Sequence, residues 1–134
     1  MPRLANLYFK TAIIFLIIGI GIGLKMAITE DHSVIGAHAH ANLLGWVTMA
    51  LFGGYHALNP QKAERRLAMI QYYIYTAGVA VLVPALYLML LGNMAMEPIV
   101  AAASIVIFIG VLLFAFIIFS SEQATRTISP APSR

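Results

Sequence analysis

Charged and turn-forming residues break this chain at only three places, and each apolar run left between them is close to the length a bilayer demands. A helix needs about 20 predominantly apolar residues to cross a hydrocarbon core roughly 30 Å thick. Runs at about 11–28, 34–58, 67–91 and 98–119 approach or exceed that length. They predict an all-α integral membrane fold, a bundle of four transmembrane helices. The connectors "TEDHS", "NPQKAERR" and "GNMAME" are short, so consecutive helices must be antiparallel neighbours in one domain, residues 1–121. The remainder, 122–134, reads as a disordered cytoplasmic tail. Composition agrees: a chain of 134 residues, 61% hydrophobic and 10% charged, cannot hide its apolar surface in one small soluble core.

The charges that remain are informative by position. A formal charge of +3 would suggest a nucleic-acid partner in a soluble protein. Here the basic residues sit singly or in pairs between apolar runs, so they are read as topology signals, with the lipid bilayer as partner and no nucleic acid. Lys and Arg are retained on the cytoplasmic side. Arg3, Lys10, Lys62, Arg65, Arg66, Arg126 and Arg134 fall on one side, while the other has only Lys25 beside Glu30, Asp31 and Glu97. Both termini are therefore expected to be cytoplasmic, in a multi-pass protein of a bacterial-type inner membrane. The first run is read as a retained helix, because no small-x-small cleavage site follows it. Absence of cysteine excludes disulfides, thiolate-bound zinc, iron–sulfur clusters and cysteine nucleophiles.

Several local features have structural explanations. Gly19 and Gly23 of "GIGIG" share one helix face, which suits close helix packing. Pro84 removes a backbone donor and is expected to kink the third helix. Tyr72, Tyr73 and Tyr75 suit an interfacial aromatic belt, and the fourth run carries almost nothing polar, so it should face lipid broadly.

The chemistry is concentrated in "GAHAHANLLGWVTMALFGGYHALNP", residues 36–60, which holds three of the four histidines. On a helix, residues two apart project about 200° from each other, so His38 and His40 address different neighbours and cannot chelate one ion together. His38 shares its face with Asn42, Gly45, Met49, Phe52 and His56, and His40 with Leu44, Thr48, Leu51 and Tyr55. His56 lies five turns from His38, about 27 Å, and is expected at the opposite membrane interface. His32 sits in the acidic outer connector and is expected to be solvated. An ionisable side chain inside a membrane is a functional-site candidate by default. Neutral imidazole is a good ligand for haem iron, zinc and copper, and Ala41 and Gly45 would leave room for a flat macrocycle.

The segment "HAHANLLGWVTMALFGGYHAL" resembles the histidine-bearing helices of subunit I of the haem–copper oxidase superfamily, especially cbb3-type oxidases and nitric oxide reductases. In that family the tenth helix carries His-x-His followed by a Leu-Gly-Trp-Val-like run, matched by His38, His40 and Leu43 to Val47. The second carries a His-x-Asn-like start, matched by His40 and Asn42. The resemblance implies that His40 is an axial ligand of low-spin haem and His38 a proximal ligand of high-spin haem, with Asn42 beside them. It further implies one four-helix arc, a third of the family's twelve-helix core, so that three copies could rebuild the core as a homotrimer. No second histidine-bearing helix supplies a His-Tyr copper centre, and only Lys25 stands on the outer side for haem propionates, so oxygen or nitric oxide reduction is not expected of this chain on its own. The function expected is b-type haem (haem b) binding through His40 and His38 at subunit contacts, in electron transfer with redox partner proteins, sensing or haem handling. A haem-free zinc or copper site, built from symmetry-related His38 side chains, and a structural or assembly subunit are the alternatives.

Overall fold

The computed structural model describes residues 1–121, and all their regular structure is helical. The tail expected at 122–134 lies outside the described residues. The first helix is Arg3–Thr29. The second occupies 35–58 without a break, as an α-helical turn Ile35–His40, a π-helical stretch Ala41–Thr48 and an α-helix Met49–Leu58. A short helix Pro60–Ala63 connects it to the third, Arg66–Leu90. A 3₁₀ turn Met94–Met96 then leads into the fourth, Glu97–Phe119.

The ends of these helices follow local chemistry. The first stops where Glu30 takes a left-handed conformation, φ 56°. Beyond it Asp31 accepts a hydrogen bond from the Ser33 backbone N–H, 3.0 Å, which holds its carboxyl below the usual carboxylate range. Pro60 and Pro98 occupy first-turn positions, where no backbone donor is wasted. The third helix continues through Pro84, which is not a break in its course.

Three helices, Arg3–Thr29, Arg66–Leu90 and the segment Met94–Phe119, are long and apolar enough to cross a membrane. Their outward faces are lined by exposed Ile, Leu and Phe, among them Ile17, Leu24, Phe108 and Phe116. Such surfaces suit lipid, and several polar side chains turn inward and pair with one another. The Tyr8 hydroxyl donates to Gln71 Oε1, and Gln71 Nε2 donates to the Gly110 carbonyl, 3.2 Å, which links the first, third and fourth helices. Thr11 Oγ1 pairs with the Tyr72 hydroxyl at 2.7 Å. Tyr75 donates to the Leu44 carbonyl, 2.9 Å. An aromatic cluster fills the space between, with Phe52 and Phe114 centroids 4.0 Å apart and Tyr8 edge-on to Tyr72 at 4.8 Å.

The connector end is clamped by cations on a helix C-terminus. Lys62 is buried and its Nζ donates to the Ile118 carbonyl, 2.9 Å, and to the Tyr55 hydroxyl, 3.0 Å. Arg65 donates to Ser120 Oγ and the Ser121 carbonyl. Positive charge at the end of the fourth helix is stabilised by its unpaired carbonyls and dipole.

Two expectations change here. The first helix begins at Arg3 and not near residue 11, because Leu4, Ala5, Tyr8 and Ala12 are buried and anchor two extra turns, while Arg3 and Lys10 remain exposed. Of the three tyrosines expected in an interfacial belt, only Tyr73 is exposed; Tyr72 and Tyr75 are buried, held by the hydrogen bonds above.

Candidate functional site at the histidine end of the second helix

His38 and His40 diverge, as their spacing requires. His38 is half-buried and turns toward the first helix, where its Nδ1 lies 2.7 Å from the Gly19 carbonyl oxygen. His40 is exposed on the outside of the bundle, with Nδ1 2.7 Å from the Gly36 carbonyl of its own helix. A carbonyl can only accept, so Nδ1 is the protonated nitrogen in each ring. In the neutral imidazole this leaves the lone pair on Nε2. That arrangement, one ring nitrogen tied to a backbone oxygen and the other free, is how proteins orient metal-ligating histidines.

The first helix is notched to receive this end of the second. A Cβ at Gly23 would come within 2.8 Å of His38 Cε1, and one at Gly19 within 2.5 Å of the Asn42 amide. The two glycines thus serve the close packing expected of them, within one chain. Asn42 fills the Gly19 notch and donates through Nδ2 to the His38 carbonyl, 2.8 Å. Its longer approach to His38 Nδ1, 3.4 Å, is not a hydrogen bond, because that nitrogen already donates to Gly19.

Local backbone geometry decides which face turns inward. Ala37, Ala41, Gly45 and Met49 are all buried at intervals of four. In a straight α-helix such positions drift about 40° per step, some 120° over three steps. The π-helical widening at Ala41–Thr48 absorbs that drift and keeps them on one face. π segments recur at functional sites, and this one begins immediately after the histidines.

The room expected at Ala41 and Gly45 is already filled. Ala41 is fully buried, and a Cβ at Gly45 would meet the Phe15 ring at 2.5 Å. A flat group therefore has no place on the inner face. On the outer face, Leu43 and Val47 are exposed beyond His40 and offer an apolar surface. Among the described residues, no three His, Cys, Asp or Glu side chains come together to hold a metal ion.

His56 departs most from expectation. It is fully buried, not interfacial, and neither ring nitrogen has a hydrogen-bond partner. Tyr8 stacks on it at 5.9 Å with an interplanar angle of 9°, and Tyr55 and Phe114 stand edge-on to it. The signal was present in its position four residues beyond Phe52 on the inward stripe. His32 lies exposed in the connector.

Comparison with protein-family models, curated proteins and solved structures gives no match. The local chemistry of the histidines therefore carries the functional argument.

Proposed function

We propose that the protein is a four-pass membrane haem protein in which His40 would hold the iron of a b-type haem. The observation that carries this reading is the exposed His40 imidazole with Nδ1 held by the Gly36 carbonyl and Nε2 left free, beside apolar Leu43 and Val47. Bound haem iron would supply reversible one-electron chemistry. This chain's part is to fix the ring plane through the Gly36 carbonyl, to offer Nε2 as the neutral donor, and to exclude water with the apolar residues around it. His38 offers a second Nε2 beside Gly23. Its packing against the first helix makes it the steadier and less accessible of the pair.

The same reading takes 35–58 as the fourth membrane-crossing helix, with both termini cytoplasmic in a bacterial-type inner membrane. A ligand on the outside of a small bundle needs a second surface to cover the haem, so the assembly proposed is a homotrimer with His40 near the subunit contacts. Electron transfer, sensing or haem handling follows from a site with one strong axial donor. The resemblance of "HAHANLLGWV" to haem–copper oxidase helices supports the assignment.

The test is the absorption spectrum and metal content of gently purified protein, wild type and His40→Ala. Expected are the Soret and α bands of a b-type haem in the wild type, reduced at least about tenfold in His40→Ala and retained in His56→Ala. Colourless protein carrying stoichiometric zinc or copper would replace haem with the metal-site alternative. Protein with neither would leave a structural role.

A further inference from the structure

The first helix, the connector and the third helix meet in a concavity of about 280 Å³ lined by Arg3, Arg65, Arg66 and Glu64 together with Leu4 and Met69. Three guanidinium groups against one carboxylate leave the concavity positive. Part of Arg65 is committed to Ser120 and Ser121. Arg3 and Arg66 are exposed and donate no hydrogen bond to any described residue. The nearby Lys62 adds nothing to the concavity, since its ammonium is turned to Tyr55 and Ile118.

The backbone adds to the same field. Both long helices that start here, at Arg3 and Arg66, lack a side-chain cap and have no acidic residue in the first turn. The partial positive charge of these two helix starts is therefore opposed by no side chain of their own first turns. Guanidinium groups match the paired oxygens of a phosphate in two-pronged hydrogen bonds. Beside the concavity, exposed Ile70 and Tyr73 begin the lipid-facing surface of the third helix. A phosphate held there would therefore have apolar protein surface continuing directly from it, which suits acyl chains and gives nothing to a free ion.

We propose that this concavity binds the headgroup phosphate of an anionic phospholipid through Arg3 and Arg66, with Arg65 in support. The inference rests on the membrane reading and is independent of haem, so loss of either leaves the other standing. Basic pockets of this kind between membrane helices select anionic lipids over zwitterionic ones.

The test is native mass spectrometry of the full chain in mild non-ionic detergent, titrated with phosphatidylglycerol or phosphatidylcholine. Wild type is compared with the Arg3→Gln/Arg66→Gln double variant, with Lys10→Gln and with Arg66→Lys. Phosphatidylglycerol is expected to occupy the wild type about tenfold more than phosphatidylcholine, and the double variant to lose that preference. Lys10→Gln should keep it, and Arg66→Lys should keep most of it. Equal occupancy by the two lipids in the wild type overturns the proposal without reliance on any variant. Undiminished preference in a folded double variant does the same, as does ready displacement by millimolar inorganic phosphate, which would assign the concavity to a soluble ion.

Discussion

At His56 a polar ring sits among the aromatic rings of Tyr8, Tyr55 and Phe114, and the consequence for stability can be measured. A buried polar group without a partner costs about 1–3 kcal/mol, whereas an apolar group of similar shape carries no such penalty. His56→Phe is therefore expected to leave the protein as stable as the wild type or to stabilise it by about 1 kcal/mol, read as the midpoint of unfolding in mixed micelles. A loss above about 2 kcal/mol would show that the imidazole is bonded in the membrane-embedded protein, by a water or by a ligand. His40 gives the complementary case. Its exposure means that His40→Ala should shift the unfolding midpoint by under about 0.5 kcal/mol in haem-free protein while removing the haem spectrum. A large loss of stability in that apo variant would mean that His40 holds the fold and not a cofactor.

The second helix acts through its π segment. Without it, the inward stripe from Ala37 to Met49 would wind off the first helix, and the Gly19 and Gly23 notches would no longer meet Asn42 and His38. Leu43 is exposed and its carbonyl accepts a hydrogen bond from Thr48 Oγ1, 2.7 Å, so deleting it alters backbone register together with the apolar surface beside His40. Deletion of Leu43 brings the buried stripe to spacings of four, three and four, which an α-helix keeps on one face with a net drift of about 20°, so the segment is expected to tighten to α-helix with Ala37, Ala41, Gly45 and Met49 still turned inward. The expected result is an unfolding midpoint close to that of Leu43→Ala, with haem binding weakened to a similar extent in both variants, because both lose apolar surface beside His40. A deletion variant that lost far more stability and haem than Leu43→Ala would show that the π segment does more than keep this stripe in register.

Across the whole molecule, the pattern is an apolar exterior around a polar and aromatic interior. Lipid is as apolar as leucine, so little is gained by burying one apolar surface on another within the bilayer. What holds helices together there is close packing at small residues and hydrogen bonds that lipid cannot replace. Gly19, Gly23 and Gly45 provide the first, and the Tyr8–Gln71–Gly110 connection provides the second. Because those glycines are spent within one chain, contacts between copies must use other surfaces, and the outward side of the second helix around His40 is the surface proposed. Native mass spectrometry in mild detergent is expected to give a trimer that retains haem, with His40→Ala shifting the distribution toward monomer. A monodisperse monomer with a full complement of haem would overturn the trimer and leave the ligand assignment intact.

The helical class, the places where the chain turns, and the opposite directions of His38 and His40 were legible in the order of residues. These follow from hydrocarbon thickness and from 3.6 residues per turn, which are properties of the solvent and the backbone and need no neighbour. It also marked Gly19 and Gly23 as packing positions, though not what they pack against. That His38 turns inward and His40 outward is a result of packing, because it depends on which face meets the first helix. The π widening was equally hidden, since its cause is the fit of Ala41, Gly45 and Phe15 across two helices. Tyr72, Tyr75 and His56 read as interfacial because polar rings near a helix end usually reach water. Their burial required partners from helices distant in sequence: Thr11 for Tyr72, the Leu44 carbonyl for Tyr75, and the stacked ring of Tyr8 for His56. Local pattern shows how a residue points along its own helix, and the neighbouring helices settle whether that direction leads to lipid, water or the core.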